Sequence, residues 1–332
     1  LERATIVDPP ETPASRLRVL VLGATGDVGR ATVAALIDRG HEVVAVVRKA
    51  GADLPAGAEI RVAEATDPAS LSRDGFRGER FDALISCLAS RTGVAADAWA
   101  VDHRANLNAL QAAKAAGVPH FVLLSAICVQ KPRLAFQHAK LAFEAALIES
   151  GLGWSIVRPT AYFKSLSGQV ARVKAGKPFL IFGDGNLTAC KPISDRDLGD
   201  HLADCLTDPE RRDRILPIGG PGPAETPRQQ GEALFRLLDR PPRFKSVPPA
   251  MLDMIAGTLG VLGRVAPALA AKAELARIGR FYATESMLVW NPETGRYDAD
   301  ATPETGADRL IDFQARLLSG EDTLRRTEQS VF

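Results

Sequence analysis

Residues 19–30, VLVLGATGDVGR, constrain the chain more than any other stretch. A short apolar run suited to a buried strand enters a turn with glycines at 23, 26 and 29, then a helix-length segment that stops at Gly40. Each glycine has a steric reason: Gly23 permits the turn off the strand, Gly26 lets backbone N–H groups approach a ligand, and Gly29 lets helix and strand pack closely. With Ala24, Thr25, Asp27 and Val28 between them, they make a junction that sets a pyrophosphate on a helix N-terminus, so the chain is expected to hold a dinucleotide.

The next apolar run, 42–47, ends at Arg48 and Lys49, about twenty residues past the glycines, where an NAD-binding chain carries an acid for the ribose 2′-hydroxyl. A cation there pairs with a 2′-phosphate that a carboxylate would repel, which favours NADPH. Asp67, after a third strand, is a candidate for the adenine amino group. Leu88, Ala89, Ser125, Pro159, Tyr162 and Phe163, at the ends of later strands, complete the expected cofactor contacts.

Strands read at 18–22, 42–47, 59–63, 83–87, 121–125 and 154–157, with helical segments in most intervals, predict an α/β fold with a Rossmann-type doubly wound parallel sheet. One helix is expected over 95–116, ended by Gly117 and Pro119. Past residue 160 the pattern loosens, and 214–219 reads as a strand returning to the sheet. The expected division is therefore a flexible segment 1–15, a cofactor domain 16–160, and a smaller, discontinuous C-terminal substrate lobe over 161–332. The nearly uncharged tract 251–271 reads as a buried helix pair broken at Gly257, Gly260 and Gly263 rather than a membrane span, which needs ~20 uninterrupted apolar residues. The repeated PETG at 292 and 303 reads as turn chemistry, and 307–318 as a closing helix.

With 41 basic and 40 acidic residues, the net charge of +1 gives no field that would gather nucleic acid. Four cysteines without paired spacing argue against a metal site or disulfide framework and fit a reducing compartment. The first fifteen residues show no apolar signal core, so a cytoplasmic location is expected.

The chemistry is expected after the fifth strand. Short-chain carbonyl reductases use a Ser with Tyr-x-x-x-Lys, the phenol protonating the developing alkoxide. Here Ser125 and Lys140 are present, but Phe136 stands in the tyrosine's place. Lys140 is still suited to the nicotinamide ribose and to relaying a proton. Without an alkoxide donor, a conjugated carbon–carbon double bond is the better substrate. Hydride addition then needs a π-system to spread the charge and an acid near the neighbouring carbon. Tyr162 is the phenol best placed for that role, with His138 as an alternative.

Six stretches carry a more specific signal: 86–91 (SCLASR), 120–131 (HFVLLSAICVQK), 155–165 (SIVRPTAYFKS), 190–194 (CKPIS), 216–222 (LPIGGPG) and 278–288 (IGRFYATESML). Together they resemble the divinyl chlorophyllide 8-vinyl reductases, atypical short-chain dehydrogenases similar to the isoflavone-reductase and NmrA-like branch. The resemblance covers nearly everything after residue 17. It implies NADPH-dependent reduction of the C8 vinyl of 3,8-divinyl (proto)chlorophyllide a, a magnesium tetrapyrrole, in bacteriochlorophyll synthesis. Without a Ser/Arg-rich transit segment, a bacterial enzyme is expected. On this reading Phe163, Phe179, Phe182, Cys128 and the 251–271 tract line a flat apolar pocket. Lys164, Lys174, Lys177 and Lys191 are the cations for the pigment's propionate, Arg91 is a further substrate candidate, and the tract leaves room for peripheral membrane contact. Two rivals remain open at this point: a non-catalytic NADP(H)-binding sensor or assembly factor, and a reductase of another conjugated alkene.

Overall fold

In a computed structural model, which describes residues 16–263 and 267–322, the apolar runs become β1 (Arg18–Leu22), β2 (Glu42–Val47), β3 (Glu59–Val62), β4 (Ala83–Ser86), β5 (His120–Leu124), β6 (Gly153–Pro159), β7 (Phe179–Phe182), β8 (Arg214–Ile218), β9 (Phe244–Val247), β10 (Val289–Asn291) and β11 (Arg296–Asp298). The segment 1–15, expected to be flexible, and residues 323–332 of the expected lobe lie outside the described residues.

Seven strands form one parallel sheet in the order β3-β2-β1-β4-β5-β6-β8. Successive side chains of a strand point to opposite faces, and β1 shows the consequence. Val19 and Val21 pack beneath the helices Asp27–Asp38 and Asp195–Asp204, whereas Leu20 and Leu22 pack under Asn106–Ala115 and Ala135–Ile148. The strand order reverses between β1 and β4, which opens a crevice at their carboxyl ends. Beyond β6 the chain crosses between two bodies. Leu198 and Leu202 of helix Asp195–Asp204 belong to the sheet's core, while β7 and β9 pair in a separate ribbon over a small core that includes Val173, Phe179 and Phe235.

Two expectations change. The helix expected over 95–116 contains a wider π-helical turn, Trp99–Ala105, between regular segments Ala95–Ala98 and Asn106–Ala115. The 251–271 tract is not a buried pair. Helix Ala250–Leu262 runs through Gly257 and Gly260, stops at Gly263, and packs against helix Pro267–Tyr282. Only Ala256 of the first helix is buried, while Met254 and Val261 are 67% and 62% exposed. Apolar content marks a face that avoids water without saying what covers it. No helix among the described residues is long and apolar enough to cross a membrane.

Candidate active site

Gly23 has φ of +73°, and a Cβ there would fall 2.5 Å from the carbonyl oxygen of Cys87. A Cβ on Gly29 would lie 2.2 Å from the Gly23 oxygen, so glycine is obligatory at both positions for packing alone. Gly26 is different. Its backbone is extended and a Cβ would meet nothing nearer than 3.4 Å within the protein. The space it leaves adjoins the first turn of helix Asp27–Asp38, whose N–H groups no side chain caps. An uncapped helix N-terminus beside an open glycine fits a pyrophosphate. Ala24 and Val28 are buried in the core and Thr25 is exposed.

Arg48 and Lys49 follow β2 and are exposed, with no ion pair among the described residues. Asp67 is exposed, and its carboxylate accepts the Ala69 N–H at 2.9 Å, capping a short helix. The Leu88 side chain packs against the core, although its backbone abuts Gly23.

Beyond the crevice lies a cavity of about 550 Å³ under the C-terminal segments. Ala89, Arg91, Ser125, Cys128, Lys140, Pro159 and Tyr162 line it, as do Phe179, Phe182 and Met251 from the lobe. Lys140, on helix Ala135–Ile148, lies 2.9 Å from an oxygen of Asp102, and both side chains are nearly buried. Sequence reading missed Asp102. The π-helical turn that carries it is what brings the acid opposite the lysine, and its oxygens also receive the Ser90 N–H at 3.4 Å. Phe136 is buried against the cavity, so the aromatic position keeps its packing without a hydroxyl. The Ser125 hydroxyl donates to the carboxylate of Glu144, a buried group also gripped by Arg158. That proton is committed within the protein.

Two of the chain's three tyrosines face the cavity. Tyr162 packs against the sheet core beside Cys87, and burial, reinforced by Asp195, raises its phenol above the ordinary range. Tyr282, the last residue of helix Pro267–Tyr282, was not among the sequence candidates. Its hydroxyl lies 3.9 Å from Cys128 Sγ, and burial followed by the neighbouring Cys128 raises it as well. The signal was available as one of only three tyrosines inside a quoted stretch, but nothing local tied it to β5.

Several candidates lie elsewhere. Phe163 is buried against Phe313, their ring centroids 5.8 Å apart, and does not line the cavity. Lys164 is held by Asp27 at 2.5 Å and Asp195 at 3.2 Å, where it offsets an acid beside the helix N-terminus. Lys191 is buried, with its ammonium 2.6 Å from Glu304 and 3.1 Å from the Thr302 carbonyl. The second PETG turn is thus also a clasp: Glu304 takes both Lys191 and the Gly222 N–H. Lys174 and Lys177 are exposed outside the cavity, Lys174 donating to the Leu318 carbonyl. His138 is exposed on the outer side of its helix, away from the cavity. None of the four lysines expected to meet the propionate lines the cavity, whereas Arg91, the further substrate candidate, does. Charge alone could not separate an available cation from one already paired.

A family model for NAD(P)H-binding proteins matches residues 23–209. The divinyl chlorophyllide a 8-vinyl-reductase of Zea mays is 48% identical over 338 residues, spanning 96% of this chain and 84% of that one, and its Cucumis sativus counterpart is 48% identical over 95% and 79%. Among solved structures, the Bordetella bronchiseptica enzyme WbmG in complex with NAD and UDP superposes with a TM-score of 0.67 at 15% identity, covering 96% of this chain and 98% of that one, and supports the fold alone. An NAD(P)H-binding core at this site, and near-half identity along almost the whole length, place the chain in the divinyl chlorophyllide a 8-vinyl-reductase family.

Proposed function

We propose that this protein uses NADPH to reduce the C8 vinyl group of 3,8-divinyl (proto)chlorophyllide a to ethyl. The observation that carries the reading is a reductase cavity in which the two positions that serve a carbonyl oxygen in short-chain reductases offer no free hydroxyl. Phe136 has none, and Ser125 donates to Glu144. A vinyl group attached to a macrocycle needs no alkoxide donor, because the ring spreads the charge left by hydride addition.

When bound, NADPH supplies that hydride. The glycine turn and uncapped helix N-terminus hold its pyrophosphate, Arg48 and Lys49 face its 2′-phosphate, and Lys140, fixed by Asp102, holds the nicotinamide ribose. Tyr162 packs on the cofactor side of the cavity, Phe179 and Phe182 flank the flat pigment, and Arg91 meets its propionate.

The exposed helix Ala250–Leu262 lends itself to contact with a lipid surface, since Met251 and Leu252 line the cavity that an apolar pigment enters. A reducing compartment is part of the same proposal, supported by four free cysteines, three of them buried.

Purified protein mixed with NADPH and divinyl chlorophyllide is expected to shift the Soret band to the blue as NADPH is consumed. Dinucleotide binding with unchanged pigment favours a non-catalytic sensor or assembly factor. Conversion of a phenylpropanoid alkene in place of the pigment favours the other rival.

A further inference from the structure

The sheet offers one phenol to the cavity and the lobe offers another, and the two are held differently. Tyr162 leans on the core beneath the glycine turn, next to Cys87. Tyr282 comes from a different element, the end of helix Pro267–Tyr282. Leu275, Ile278 and Tyr282 succeed one another along the cavity-facing side of helix Pro267–Tyr282, at the spacing of one helical face. The helix is anchored where the chemistry is expected, because Ile278 and Phe281 pack with Ile127, Cys128, Phe136 and Ala139, the segments that follow β5. Both Ile278 and Phe136 crowd the space beside Gly93. Phe281 also sets its ring edge-on to Tyr282 at 5.7 Å. A phenol is thus returned, from a different element, to a cavity in which Phe136 has lost one.

We propose that Tyr282 is the proton donor of the reduction, a catalytic residue for which no sequence motif accounts. This rests on the vinyl-reductase reading. Among the described residues the hydrogen-bond partner of the Tyr282 hydroxyl is the Cys128 thiol, at 3.9 Å, a weak partner that leaves its proton available, unlike the Ser125 proton held by a carboxylate. Tyr282 is 39% exposed and lines the cavity. Like any tyrosine the phenol is protonated at physiological pH, and burial raises it further, so it reaches the step carrying its proton.

The step balances. Hydride from NADPH forms one C–H bond at the vinyl group, and the displaced π pair is left on the adjacent carbon and spread over the macrocycle. The O–H bond of Tyr282 breaks, its proton forms the second C–H bond on that carbon, and the phenolate recovers a proton from water at the cavity mouth. NADPH is oxidised to NADP⁺ as vinyl becomes ethyl.

The test compares Tyr282→Phe with Tyr162→Phe in the full chain. Tyr282→Phe is expected to lower kcat by ~100-fold or more while KM for the pigment stays within about twofold, and Tyr162→Phe to keep turnover within about tenfold of wild type. Two further readouts do not depend on turnover: pigment binding to the apoprotein, followed by pigment fluorescence, stays unchanged in Tyr282→Phe, and the ultraviolet phenolate titration loses one group that ionises late. Wild-type turnover in Tyr282→Phe overturns the proposal. So does a joint loss of turnover and pigment binding, which marks a packing residue, and so does a selective kcat loss in Tyr162→Phe. If the wild-type protein binds NADPH and leaves the pigment unchanged, the vinyl-reductase reading falls, and the proposal falls with it.

Discussion

Arg48 ends β2 exposed and without an ion partner among the described residues, so removing its guanidinium takes away nothing the fold uses. Its contribution should therefore appear in cofactor choice alone. Arg48→Ala is expected to weaken NADPH by about 1–3 kcal/mol, the range for a hydrogen bond to a charged group, and to leave NADH binding and the melting temperature unchanged. Fluorescence titration with both cofactors checks this, and unchanged discrimination removes Arg48 from the 2′-phosphate. The other cations show why exposure and pairing have to be known first. Lys164 neutralises Asp27 and Asp195, and Lys191 is buried on Glu304, so their charges are already engaged. Ser125 and Glu144 make the same point for hydroxyls, since the serine was legible in the sequence and the acid that takes its proton was not.

The elements that the chain announces through glycine and apolar runs are those whose signals are local. The β1 fingerprint, the parallel strands and the helix stop at Gly117, which has φ of +68°, all depend on neighbours in sequence. What could not be read depends on distant partners. The π-helical turn over Trp99–Ala105 aligns Asp102 with Lys140, thirty-eight positions away, and Tyr282 reaches Cys128 across 154 positions. The helix Ala250–Leu262 is the opposite case, in which composition is plain and the covering surface is not. Its apolar side chains lie open beside the cavity entrance, so charges there should alter association without touching the core. Met254→Glu with Val261→Glu is expected to reduce sedimentation with lipid vesicles severalfold while leaving the melting temperature within a few degrees, as surface changes generally do. Undiminished vesicle binding in the double variant rules out this helix as the contact.

Across the whole molecule the site gathers at the carboxyl edge of the sheet, and of the three buried histidines, His41, His120 and His201, the last two are pushed down furthest and govern acid stability. His120 opens β5 at the amino edge, 3.0 Å from Ser155 Oγ, and burial first, with Arg212 second, pushes it down to about 4. His201, on helix Asp195–Asp204, has an unpartnered Nε2 and lies 3.1 Å from the Arg211 guanidinium; burial first, then that charge, pushes it also to about 4. Both are neutral in the folded protein and protonate near their ordinary 6.5 once unfolded. Between those values the unfolded chain binds more protons, so stability rises with pH there. The contribution is complete above about 6.5 and lost as pH falls toward 4, at about 1–3 kcal/mol for each histidine. The acids held low by ion pairs, such as Glu59 and Glu79, bring their own losses only below the ordinary carboxylate value of 4.5. Urea unfolding from about pH 7 to 5 is therefore expected to show falling stability, opposed by Asp195 and Glu225, which burial raises, and a His120→Gln, His201→Gln variant to show a flatter slope across that interval. Equal slopes in the two proteins assign the acid sensitivity to other groups.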